Sequence, residues 1–167
     1  MNEECLPLMN EKGEIIGKAP RSQCHQDKNC LHPVVHLHVL NEQGNIFLQK
    51  RPMHKIQPGK WDTAVGGHIA YGEDVETGLQ RETLEELRIK DIKAQFITEY
   101  VYESDIEREY VYCFITRYNE AIHINTEELV DGKFWSHKEI CKNLGKGIFT
   151  PNFEEEYRKI YSFLVPK

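Results

Sequence analysis

Hydrophobic and polar positions alternate most clearly over residues 33–40, PVVHLHVL. Val35, Leu37 and Val39 fall on one face, and Val34, His36 and His38 on the other. That two-residue period predicts a strand. Asn41–Asn45 (NEQGN) reads as a turn, after which Ile46–Lys50 should pair back antiparallel. Upstream, Leu6–Met9, a turn at Asn10–Gly13 and Glu14–Ala19 read as a hairpin. Pro58–Gly59 breaks the chain, and Trp61–Val65 is a short strand leading into Gly66–Gly67. From Asp74 to about Leu87 the period lengthens: Leu79, Thr83 and Leu87 recur every four residues beside Leu84, which predicts a helix. Strands are expected over 92–102 and 109–117, around a polar turn at Glu103–Arg108, with a last short strand at Phe134–Trp135. Ser136, with Glu139 three residues on, forms a capping box for a helix through Leu144, and Pro151 opens a closing helix over 152–164. Strands and helices mix without strict alternation, so a layered α+β fold is expected. No repeat or linker divides residues 1–167, which read as one domain.

Composition narrows the partners. The formal net charge of −6 argues against a nucleic-acid polymer, whose binding needs a basic surface, but leaves room for a single nucleotide. No apolar run approaches the ~20 residues that span a bilayer. Glu3 and Glu4 stand where a secretory signal would be basic and then apolar. No membrane partner is therefore expected. The five cysteines are an odd number without CxxC pairs, which disfavours a disulfide framework or structural zinc and makes a reducing cytoplasm the expected setting. Oligomeric state is not encoded, and a homodimer is left open.

The chemistry concentrates in Gly67-HIAYG-Glu73-DVETGLQ-Arg81-Glu82-Thr83-Leu84-Glu85-Glu86-Leu87-Arg88-Ile89. On a helix, Glu82, Glu85 and Glu86 share an arc of about 100°. Like charges so placed repel, and Arg81 offsets only part of this. On a generic helix such a stripe is a solvated acidic face. Here a glycine-rich loop feeds directly into it, and glycine lets backbone and phosphate approach closely. Several carboxylate oxygens beside phosphate are what Mg²⁺ or Mn²⁺ prefers.

This segment resembles the Nudix box, GX5EX7REUXEEXGU, with Gly67, Glu73, Arg81, Glu82, Glu85, Glu86 and Ile89 at matching positions. It departs at Thr83, a bulky apolar position in the box, and at Arg88, where the box has glycine. The resemblance implies an α/β/α sandwich around a mixed central sheet. It implies a metal-dependent hydrolase of a small-molecule diphosphate, with Glu82, Glu85 and Glu86 as ligands to Mg²⁺ or Mn²⁺ and the Gly67 carbonyl as a further one. Glu73 and Arg81 would pair to hold the loop on the helix.

Outside the box the chain resembles the subgroup containing type I isopentenyl-diphosphate isomerase. The shared features are Arg21–His25, His32, the basic Lys50, Arg51 and Lys55, Trp61, Gly66-Gly67-His68, Glu107-Arg-Glu109 and Phe149-Thr-Pro. By that resemblance His25, His32, His68, Glu107 and Glu109 would hold one metal ion, and Lys50, Arg51 and Lys55 would bind phosphate. The isomerases carry a cysteine immediately before the Gly-His and a tryptophan just after Ser/Thr-Pro. Gly66 and Asn152 stand there instead, and a glycine cannot protonate a carbon. Three readings follow: a diphosphate hydrolase, a residual isomerase, and a non-catalytic ligand-binding domain, which the intact glutamates disfavour. His36 and His38 match neither pattern and read as structural or cavity-lining. Tyr100, Tyr102, Tyr112, Trp135, Phe149 and Phe153 are candidates to stack a base, against core roles for each.

Overall fold

A computed structural model describes residues 2–165, so the outermost positions of the expected 1–167 domain lie outside the described residues. The alternating segment is β3 (His32–Leu40), and it is buried on both faces rather than one. The reason is its central place in a seven-stranded sheet with a helix packed on each face. β6 (Val65–His68) runs antiparallel on one side and β8 (Arg108–Arg117) parallel on the other, with β7 (Gln95–Glu103) antiparallel to β8. Val35, Leu37 and Val39 pack with Leu79 and Leu87 of α2 (Val75–Leu87). On the opposite face Leu40 and Cys113 meet Phe153, Tyr157, Ile160 and Leu164 of α4 (Pro151–Leu164). The α/β/α sandwich with a mixed sheet is thus built.

β4 (Ile46–Lys50) departs from expectation. It pairs with β3 only at Leu40↔Ile46, because β6 takes the rest of that edge through Val34↔His68 to Leu37↔Val65. β4 instead becomes the centre of an antiparallel trio with β5 (Trp61–Thr63) and β9 (Asp131–Trp135). The expected strand over 61–65 is accordingly split at Ala64 into β5 and β6. A cavity of about 900 Å³ lies where the two units diverge, bordered by His36, Gln49, Asp62 and Gly66.

The amino-terminal hairpin pairs β1 (Cys5–Met9) with β2 (Ile15–Pro20), and one helical turn not expected from sequence, α1 (Arg21–Cys24), follows it. β7 starts at Gln95 rather than Ile92, whose N–H is bonded instead to the Gln80 side chain, 3.0 Å away. Asp74 caps α2 by accepting from the Thr77 N–H, and the helix ends on Arg88 in the left-handed region at φ 58°. The Ser136–Glu139 capping box opens α3 (His137–Asn143), and Thr150 caps α4. No helix among the described residues is long and apolar enough to cross a membrane.

Candidate active site

Arg81 ties the loop before α2 to the helix. Its Nε and Nη2 donate to the two oxygens of Glu73 at 2.8 and 2.9 Å, a fork-on-fork contact, and Nη2 also reaches the His68 carbonyl at 2.9 Å. Glu73 further accepts from the Ala70 N–H at 2.9 Å. The remaining arm, Nη1, donates to Glu82 at 2.8 Å and more loosely to Glu85 at 3.4 Å. Glu86 is buried and accepts from the Gly66 N–H at 3.2 Å and the Gln49 amide at 3.1 Å. A Cβ at 67 would overlap the Glu82 carboxylate, so any larger residue there must displace that group. Burial pushes the Glu82 carboxyl up to about 7 despite Arg81. Burial, then the charge of Glu82, raises Glu86 well above the usual range. Glu82, Glu85, Glu86 and Gly67 all border the cavity, and burial disfavours the charged form of Glu82 and Glu86, which a bound cation would relieve.

A second group gathers from four parts of the chain, with His25, His68 and Glu109 bordering the same cavity and His32 buried beside them. His25 follows α1, His32 starts β3, His68 ends β6, and Glu109 lies opposite His32 in the parallel β3/β8 register. Donor atoms of His32, His68 and Glu109 lie within 4.8 Å of one another. The His25 ring stands 4.8 Å from His68 and 5.8 Å from His32, centroid to centroid, and its Nδ1 contacts Glu107 at 2.8 Å. His32 spends Nδ1 on the Cys30 carbonyl at 2.8 Å, which leaves Nε2 as its free atom. Nε2 of His32 and of His68 are both buried without a protein partner. Burial lowers both imidazoles, with neighbouring positive groups adding at His68, so each presents a neutral ring. Burial and then Glu107 push Glu109 up to about 7. Orphaned neutral imidazole nitrogens beside carboxylates form a donor set that fits a divalent cation.

The basic trio is divided. Arg51 and Lys55 border the cavity, but Arg51 is held by Asp62 at 3.1 Å and the Ile56 carbonyl at 2.7 Å, and Lys55 by Glu128 at 3.4 Å. Lys50 is not among the cavity-lining residues; its Nζ sits 6.0 Å from the Trp61 ring. Of the six aromatics weighed for base stacking, Tyr102 alone borders the cavity. Trp135, Phe149 and Phe153 are core residues, Tyr112 packs at the edge of the core under α2, and the Tyr100 hydroxyl donates to Glu156. Sequence reasoning did not single out Gln49, Asp62 or Glu156. For Glu156 a signal was present: it stands inside the apolar stripe Phe153, Tyr157, Ile160 and Leu164, where a solvated acid does not belong.

Residues 31–157 match the model of the NUDIX domain, which covers most of the chain. The chain belongs to the Nudix family. Among its Nudix relatives, isopentenyl-diphosphate Delta-isomerase 2 of Photorhabdus laumondii is 31% identical over 138 residues, covering 79% of this chain and 77% of the relative. An uncharacterised Nudix hydrolase of Listeria monocytogenes is 30% identical over 153 residues, covering 87% and 88%. A crystal structure from Deinococcus radiodurans superposes with a TM-score of 0.82 at 21% identity, over 95% of this chain and 99% of that one. Relatives named for both reactions stand at similar identity, so the choice between Nudix hydrolase and isomerase rests on the residues in the cavity.

Proposed function

We propose that the protein is a divalent-metal-dependent hydrolase that cleaves a diphosphate linkage in a small, nucleotide-like molecule. One observation carries the reading. The box carboxylates and the Gly67 loop converge on a cavity that, among the described residues, no cysteine borders. Gly66 occupies the position of the isomerase cysteine, and Asn152 borders the cavity where those enzymes have tryptophan. An acid able to protonate a carbon is absent from that place, whereas the carboxylates suited to phosphoryl chemistry are present.

Glu82, Glu85 and Glu86 would hold one or more ions, with Gly67 offering its carbonyl. His25, His32, His68, Glu107 and Glu109 would hold a further one. When bound, Mg²⁺ or Mn²⁺ supplies Lewis-acid withdrawal of charge from phosphate oxygens and activation of water at neutral pH. The chain's own part is positional. Arg81 fixes Glu82 and the 67–74 loop in one frame, and Gln49 with the Gly66 N–H fixes the orientation of Glu86. Tyr102, Ile56 and Ile106 border the cavity and would face the non-phosphate part of the substrate.

The test is a panel of diphosphate compounds with each metal, read by phosphate release and mass spectrometry. Hydrolysis is expected for wild type and is expected to vanish in Glu82→Gln and Glu86→Gln, with circular dichroism unchanged. Wild-type rates in both variants would sink the proposal. Deuterium incorporation into isopentenyl diphosphate from D₂O, without hydrolysis of any panel member, would establish the isomerase reading instead.

A further inference from the structure

β3 carries a second pair of histidines, and both turn towards one buried carboxylate. His36 Nδ1 lies 2.8 Å and His38 Nε2 2.5 Å from the two oxygens of Glu156 on α4, and the Tyr100 hydroxyl donates to the same group. Glu156 is wholly buried. Burial alone would raise Glu156, but His36 and His38 hold it well below the usual range. Burial alone would depress His36, but Glu156 outweighs it, with Glu109 of β8 and Asp62 of β5 adding, so the ring is held above the ordinary imidazole range. His38 has a buried Nδ1 without a partner. Glu156 thus favours the charged form of the His36 ring.

Two features turn that charge towards the cavity. With Nδ1 spent on Glu156, Nε2 is the nitrogen His36 has left, and His36 borders the cavity while Glu156 lies behind it. The residue across the antiparallel register is Gly66, where a Cβ would stand 3.6 Å from His36 Cδ2 and 3.9 Å from Nε2. A side chain longer than a methyl would lie over that edge of the ring. The missing side chain at 66 leaves it open, one residue from Gly67 and beside the N–H that holds Glu86.

The other long-chain cations bordering the cavity already face carboxylates: Arg21 pairs with Glu4, Arg51 with Asp62, Lys55 with Glu128 and Arg81 with Glu73. His36 differs in having its partner on the far side and a free N–H towards the open space. We propose that His36 is a substrate-binding residue whose Nε2–H donates to a phosphate oxygen of the diphosphate, and that Gly66 is the position that opens it. The same position that lacks the isomerase thiol thereby admits an anion-binding imidazole. This deepens, and rests on, the diphosphate reading above.

Imidodiphosphate, an inorganic diphosphate analogue with a bridging nitrogen, serves as the probe with full-length protein and saturating Mg²⁺. Calorimetry is expected to show its affinity falling by at least about tenfold in His36→Gln, the loss of one charge-assisted bond. Mn²⁺ binding without the probe, followed by electron paramagnetic resonance, should not weaken, since no metal ligand is removed and the charge lost beside Glu109 opposed a cation. Gly66→Val leaves the Glu156 network whole and covers the ring edge, so it decides the matter if His36→Gln folds poorly; the same loss is expected. In ¹⁵N spectra of the Mg²⁺-saturated protein, His36 Nε2 should shift further on adding the probe. Unchanged affinity in folded Gly66→Val, with wild type binding and hydrolysing diphosphates, would overturn the role of His36 and leave the hydrolase reading standing. Failure of wild type to bind the probe or hydrolyse any diphosphate would overturn both.

Discussion

Arg88 ends α2 in the left-handed region, where a Cβ is crowded against the neighbouring carbonyl and the Nudix box has glycine. The chain carries this strain because the Arg88 N–H still closes the helix on the Leu84 carbonyl at 3.0 Å. Arg88→Gly is expected to stabilise the protein by about 1 kcal/mol, a rise of roughly 2–4 °C in thermal midpoint, read by calorimetry. Gly67 presents the converse case. An alanine there must displace the Glu82 carboxylate, which Arg81 holds. Gly67→Ala should keep its fold by circular dichroism yet lose at least about tenfold in diphosphate hydrolysis, because ligands displaced by about 1 Å no longer act together. Retained wild-type turnover would show that Glu82 moves without consequence.

At the level of elements, α2 and its preceding loop are locked through Glu73 and Arg81. Hydrogen bonds from Arg81 hold the Glu73 carboxyl below its ordinary 4.5, burial working against them. A group so depressed binds fewer protons folded than unfolded, so its contribution is present above pH 4.5 and is lost as pH falls through the lowered value. Urea unfolding should therefore place Glu73→Gln about 1–2 kcal/mol below wild type at pH 6, with the gap closing towards pH 3. A constant gap would mean the pair contributes through packing alone. This contiguous part of the site was readable from sequence because its spacing is local: caps, helix period and carboxylate stripe all lie within 67–89. The divergence of β4 was not, since a two-residue period gives a strand its faces but not its neighbour, and β6 claimed the edge first. The set from His25 to Glu109 spans more than eighty positions of sequence, so resemblance alone suggested it. Glu156 was written into α4 as a charge in an apolar stripe, but its partners on β3 lie 118 and 120 residues away.

For the whole molecule, the cavity gathers box carboxylates from α2 with His25, His68, Glu107 and Glu109, and His32 of β3 lies buried beside His68 and Glu109. A cation that binds only this assembled arrangement stabilises the fold as a whole. Mg²⁺ or Mn²⁺ at a hundred times its dissociation constant should add about 2.7 kcal/mol, or roughly 5–10 °C in melting temperature, reversed by chelator. No shift with either ion in differential scanning fluorimetry would count against metal binding in the cavity. The pairing of β3 with β8 also dictates an order of events. Residues 32–40 find their parallel neighbour only in residues 109–117, a closure of 77 positions that local contacts cannot replace. The pocket is thus a late product of folding, and cations cannot act as an early nucleus for it. Refolding followed by tryptophan fluorescence should show the same main rate with and without Mg²⁺, while the unfolding limb slows. A metal-accelerated refolding rate would instead place the histidine cluster in the nucleus.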